Sequence, residues 1–157
     1  MSARKRIQDD GAIGLSTNML LFAVIIAISI PLVFSGFETY DRVRAEDYLV
    51  DEIARFVSIS LVYFDAGGGQ ANITIRLRDG ALHQIDFVEL GGPLDSPLCA
   101  SIRYRFFDED TRYIFLDDYD LRMTAGEDSL RLSSGIWTIH IEVRNEDPGD
   151  YLHLSLG

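Results

Sequence analysis

Hydrophobic and polar positions divide this chain into three successive patterns. Residues 11–37 carry no charged side chain. They contain the run Met19-Leu20-Leu21-Phe22-Ala23-Val24-Ile25-Ile26-Ala27-Ile28, continued by Ser29 to Phe34. From Ala12 to Phe34 there are 23 residues, enough at ~1.5 Å rise each to cross a ~30 Å hydrocarbon layer as a helix. The second pattern begins after Gly36. Phe37, Tyr40, Val43, Val50, Ile53, Ala54, Val57 and Leu61 recur at spacings of three and four, with charged residues largely between them. That period predicts an amphipathic helix. Glu38 with Arg42 and Asp51 with Arg55 stand at i,i+4 spacing, which favours helical ion pairs. Gly67-Gly68-Gly69 is a strong stop.

The segment Phe56 to Phe64 is nearly all apolar. A helix apolar on most sides is buried on most sides, so this part reads as a stem against which a further domain packs. The alternative is a strand opening that domain. From Ala71 onward the period falls to two. Candidate strands are Asn72–Arg78, Leu82–Leu90, Ala100–Phe106, Tyr113–Leu116, Asp120–Thr124, Ser129–Ser133, Ile136–Val143 and Tyr151–Leu156. Asp79-Gly80 between the first two predicts a hairpin. Many short strands with close-set turns predict a small sandwich or a curled antiparallel sheet. The expected fold is α+β: a long N-terminal hydrophobic helix, an amphipathic stem, and a small antiparallel β-sandwich-like domain packed on that stem.

Charge adds direction to this layout. The chain has a formal net charge of −11. Arg4-Lys5-Arg6 precedes the apolar run, whereas the charges after it are mixed in sign and mostly acidic. The positive-inside rule puts the N-terminus in the cytoplasm and the rest outside a single-pass span. The acidic exterior repels polyanions, so no nucleic acid is expected as a partner. Membrane lipid is the expected partner of the apolar run.

Three roles fit that run. One is a secretory signal cut near Val33-Phe34-Ser35. Another is a plain membrane anchor. The third comes from a resemblance. A short basic leader, Gly11-Ala12, a long apolar helix running into an amphipathic one, and a β-rich domain resemble the type IV pilin superfamily. The likeness is greatest to archaeal pilin-like and archaellin-like proteins with class III signal peptides. The resemblance implies a prepilin-type peptidase cutting between Gly11 and Ala12. It also implies that the helix stays on the mature protein, first as an anchor and then as a packed spine. Carried onto this chain, the spine comprises Ile13, Leu15, Met19, Leu20, Leu21, Phe22, Val24, Ile25, Ile26, Ile28, Pro31 and Phe34. Its partners would be copies of this chain or other pilin subunits.

The expected organisation is therefore a cytoplasmic leader at 1–11, a membrane or spine helix at 12–34, a stem at 35–66 and an extracellular β domain at 70–157. The expected function is that of a surface protein anchored by its helix and assembled into, or associated with, a pilus-like filament. The alternative is a monomeric membrane-anchored domain that binds or senses a ligand through its loops. Ser16, Thr17 and Asn18 read as residues at headgroup level or as helix–helix contacts.

Catalytic chemistry finds little support. His83, His140 and His153 each fall in a strand pattern without ligand spacing. No nucleophile-elbow or phosphate-loop context occurs. No enzyme activity, no cofactor and no metal site is expected. The acidic turns Asp108-Glu109-Asp110, Asp117-Asp118-Tyr119-Asp120, Glu127-Asp128 and Glu146-Asp147 match no calcium-loop spacing and read as solvated turn residues. Cys99 reads as a small buried hydrophobe. Asn72-Ile73-Thr74 is a glycosylation sequon, with Asn72 as the acceptor.

Overall fold

The structure is a computed structural model that describes residues 3–126, 128–146 and 149–157, with side chains from Met19 onward. One helix, α1, runs Ala3–Asp65. Eight strands follow: β1 Gln70–Leu77, β2 Ile85–Leu90, β3 Ser101–Phe106, β4 Arg112–Phe115, β5 Met123–Thr124, β6 Leu130–Leu132, β7 Gly135–Glu146 and β8 Gly149–Leu156. The chain is α+β, and the stem segment 56–64 is helical. The described residues separate into two compact units, Met1–Tyr40 and Asp41–Gly157.

Within the second unit α1 ends where the glycines begin. The amide of Gly67 donates to the Phe64 carbonyl at 2.9 Å. Gly67 itself has φ +70°, the left-handed conformation in which glycine closes a helix at no steric cost.

The strands form two four-stranded sheets, ordered β1-β7-β8-β5 and β4-β3-β2-β6. Seven of the eight strand identities match the alternation closely. β5 shrinks to the pair Met123–Thr124, and it joins β8 in parallel through Met123↔Leu152. The other pairings are antiparallel. One apolar cluster gathers Ile73, Ile75 and Ile141 from the first sheet with Val88, Ile102 and Leu132 from the second. Ala45, Leu49, Ile53, Phe56 and Val57 of α1 belong to the same cluster. Their three-and-four spacing puts one stripe of the helix into the core.

The Asp79-Gly80 hairpin does not form. β1 pairs with β7, from Gln70↔Glu142 to Leu77↔Gly135, while β2 pairs with β3 and β6. The segment between β1 and β2 passes from one sheet to the other. Local and helical bonds satisfy its backbone. Gly80 N–H donates to the His83 carbonyl at 2.7 Å, and Asp79 Oδ1 accepts from Ile85 N–H at 2.8 Å. The Asp41 carboxylate on α1 accepts from the amides of Ala81 and Leu82, both at 2.8 Å.

The helical ion pairs also differ from expectation. Arg42 pairs with Glu109 at 3.1 Å, and Arg55 pairs with Glu52 at 2.8 Å rather than with Asp51. Arg55 also donates to the Thr74 carbonyl, and Glu52 accepts from Arg76 N–H at 3.0 Å. These two side chains cap the free edge of β1.

Candidate functional site: the exposed apolar helix

The feature that calls for a function is the apolar stretch of α1 in the first unit. Among the described residues one helix is long and apolar enough to cross a membrane. Its most apolar 18-residue window, within Met19–Asp65, has mean hydropathy 2.6 and buries none of its residues. Met19, Leu20, Leu21, Phe22, Val24, Ile25, Ile26, Ile28 and Phe34 are all exposed, the least at 42%. Pro31 is exposed as well. Their positions run round the helix rather than along one stripe. An isolated soluble protein seldom presents so much contiguous apolar surface to water, and such surface marks contact with lipid or protein.

Pro31 lies inside the helix. It has no N–H for the carbonyl four residues earlier, and this favours a bend or a looser turn. Further along, the Thr39 hydroxyl donates to the Ser35 carbonyl at 3.0 Å, the back-bond to the preceding turn that a threonine within a helix can make. Ser29, Ile30, Val33, Phe34 and Phe37 frame a shallow apolar depression on this surface. Gly11, Ala12, Ile13 and Leu15, the expected processing position and the first expected spine residues, fall within the helical backbone of α1, and their side chains lie outside the described residues.

The polar groups of the β domain serve its architecture. Glu46 accepts from the Tyr104 hydroxyl at 3.0 Å and from Arg112, which also reaches Glu109 at 3.4 Å. This network fastens the stem to β3 and β4. Burial, with the nearby Glu109 carboxylate, pushes the Tyr104 phenol up. Asp41 is the most perturbed carboxyl. Hydrogen bonds from the amides of Leu82 and Ala81, aided by His83, lower its pKa from 3.8 to about 2. By helical period Asp41 is one of the charged residues between the apolar positions; only the approach of the 79–84 segment makes it an acceptor for that loop.

His83 Nδ1 lies 3.3 Å from Asp41. His140 Nδ1 lies 2.9 Å from Asn72 Oδ1. Burial lowers the pKa of His153. The histidines are therefore spread over separate places. Among the described residues no three His, Cys, Asp or Glu side chains stand together as a metal set. Of the acidic turns, Glu127 and Asp147 lie outside the described residues. Asp117–Tyr119 forms a single 3₁₀ turn. Cys99 is buried and unpaired, and burial pushes its thiol up. Asn72 is exposed on β1 with Thr74 on the same face. No protein-family model, no curated protein and no solved structure matches this chain.

Proposed function

We propose that this chain is a pilin-like surface protein of the archaeal type IV kind. It is inserted through its N-terminal helix with the basic leader in the cytoplasm and the β domain outside. A prepilin-type peptidase removes the leader at Gly11–Ala12. The helix then holds the protein in the membrane and packs with copies of itself or with other pilin subunits in a pilus-like filament. No reaction is assigned to it.

The observation that carries this reading is the all-round apolar, exposed surface of Met19–Phe37 joined by one helix to a stem that is part of the β-domain core. Asn72, exposed in the sequon, is the proposed glycan acceptor. The test is mass spectrometry of the mature N-terminus, together with electron microscopy of sheared surface material. A chain beginning at Ala12, found in filaments, is the expected result. A chain beginning at Met1 or Ser2 would reduce the helix to a plain anchor, and one beginning near Gly36 would indicate ordinary secretion.

A further inference from the structure

Sheet edges are treated unequally in this domain. The edge of β1 is capped by Glu52 and Arg55 of the stem. β4 is one of the two edge strands of the other sheet, and Tyr113-Ile114-Phe115 carries none of the lysines, prolines or bulges that normally close an edge. Leu116 N–H donates to the Ala100 carbonyl at 2.8 Å, and Ile114 stands opposite Ile102. Antiparallel alternation then turns the N–H and C=O groups of Tyr113 and Phe115 away from β3, toward the open side.

Beside that edge runs a groove of about 360 Å³ between the stem and β4. Val50, Ala54 and Leu61 line it from the helix, and Ile114, Phe115 and Tyr119 from the other wall. The outer face of β4 shows Tyr113 and Phe115, stacked at 5.9 Å and exposed by 50% and 60%. An extended chain laid along β4 would point alternate side chains to opposite faces, one set toward the helix-lined groove and the other toward Tyr113, with Phe115 at the groove's rim.

Charge identifies the occupant. Arg112, the cation of this strand, is already neutralised by Glu46 and Glu109. Asp110 precedes the strand, and Asp117, Asp118 and Asp120 follow it, all exposed. Among the described residues none of these four makes an ion pair. A second copy pairing antiparallel on β4 would bring such carboxylates toward their own kind, which is unfavourable. We propose that β4 and its groove bind an extended segment of another protein, apolar at alternate positions and flanked by Lys or Arg. The surface works by strand addition, with backbone bonds supplying affinity, the groove selecting apolar residues and the carboxylates selecting the basic flanks.

The test uses the full chain in nonionic detergent micelles. The probe is a labelled octapeptide of alternating Val and Thr with Lys at both ends; its control carries Glu in place of Lys. Fluorescence anisotropy should give affinity at least about tenfold tighter for the Lys peptide, weakening as salt is raised. Amides of Tyr113 and Phe115 should gain protection from hydrogen exchange. Phe115→Pro removes one outward N–H without removing a bond to β3, and should weaken binding at least about tenfold. Ala54→Trp, at an exposed groove position, should do the same by filling the groove, and it serves if the proline variant fails to fold. The proposal is overturned if the Lys peptide does not bind, if the Glu peptide binds equally, or if neither substitution weakens binding. It is also overturned if β4 instead pairs with a second copy, seen as concentration-dependent association lost in Phe115→Pro.

Discussion

The Asp41 carboxylate on the helix and the Leu82 backbone amide lie 2.8 Å apart, though forty-one positions separate them along the chain. Asp41 also takes the amide of Ala81, so one side chain holds the crossing from the first sheet to the second. The stem is thereby bonded to the loop that replaces the expected hairpin.

Removing the charge of Asp41 should loosen that crossing. The folded carboxyl is depressed from 3.8 to about 2. Its stabilising effect is therefore complete above the unfolded value and is lost as pH falls through the folded one. Asp41→Asn should lower the urea midpoint at neutral pH and flatten its dependence on pH across that acid window. Trp137, the single tryptophan, reports unfolding, and hydrogen exchange at Ala81 and Leu82 should quicken.

The stem should behave as part of the β domain. Phe56 is fully buried, whereas Phe34 is 59% exposed. Phe56→Ala should cost about 3–5 kcal/mol. Phe34→Ala should change the domain's stability by no more than about 0.5 kcal/mol. A fragment covering Asp41–Gly157 should fold and give a cooperative thermal transition; one beginning after Asp65 should not, because it lacks five core side chains.

Gly91 should tolerate no side chain. It has φ +67°, and a Cβ there would lie 2.1 Å from the Met123 carbonyl oxygen. That approach accompanies the bond from Gly92 N–H to the same carbonyl at 3.1 Å. Gly91→Ala should destabilise the protein by about 3 kcal/mol or more, read as loss of folded material in expression and in urea titration.

Glu52 should matter more than an ordinary surface carboxylate. Its removal leaves Arg76 N–H without its acceptor and Arg55 without its ion pair. Glu52→Ala should cost about 1–3 kcal/mol and speed exchange of the Arg76 amide, an outcome that a freely solvated helix pair would not give.

Cys99 should resist alkylation in the folded protein, since it is buried and its thiol is pushed up. Iodoacetamide should modify it slowly until urea unfolds the chain, and mass spectrometry should then find one label. Rapid labelling of the native protein would contradict the burial.

The sequence by itself determined the elements. An uncharged run of helical length, a three-and-four recurrence that includes Ile53 and Val57, and period-two alternation in Ile73-Thr74-Ile75 each depend only on neighbours along the chain. Alternation states which face of a strand is buried, but the stem departs from its expected stripe: Tyr40, Val43 and Val50 are exposed while Ala45 and Leu49 enter the core. Such patterns do not state which other element covers a buried face, because any apolar face satisfies any other. Tertiary structure decided that β1 lies beside β7 rather than β2, that Arg42 takes Glu109 and Arg55 takes Glu52, and that Asp41 accepts loop amides. It also decided that β1 is capped while β4 is left open. Each of these outcomes is a contact between residues distant in sequence, fixed by how the helix and the two sheets share one core. The apolar run was visible from the start for the opposite reason: its exposed surface requires no internal partner.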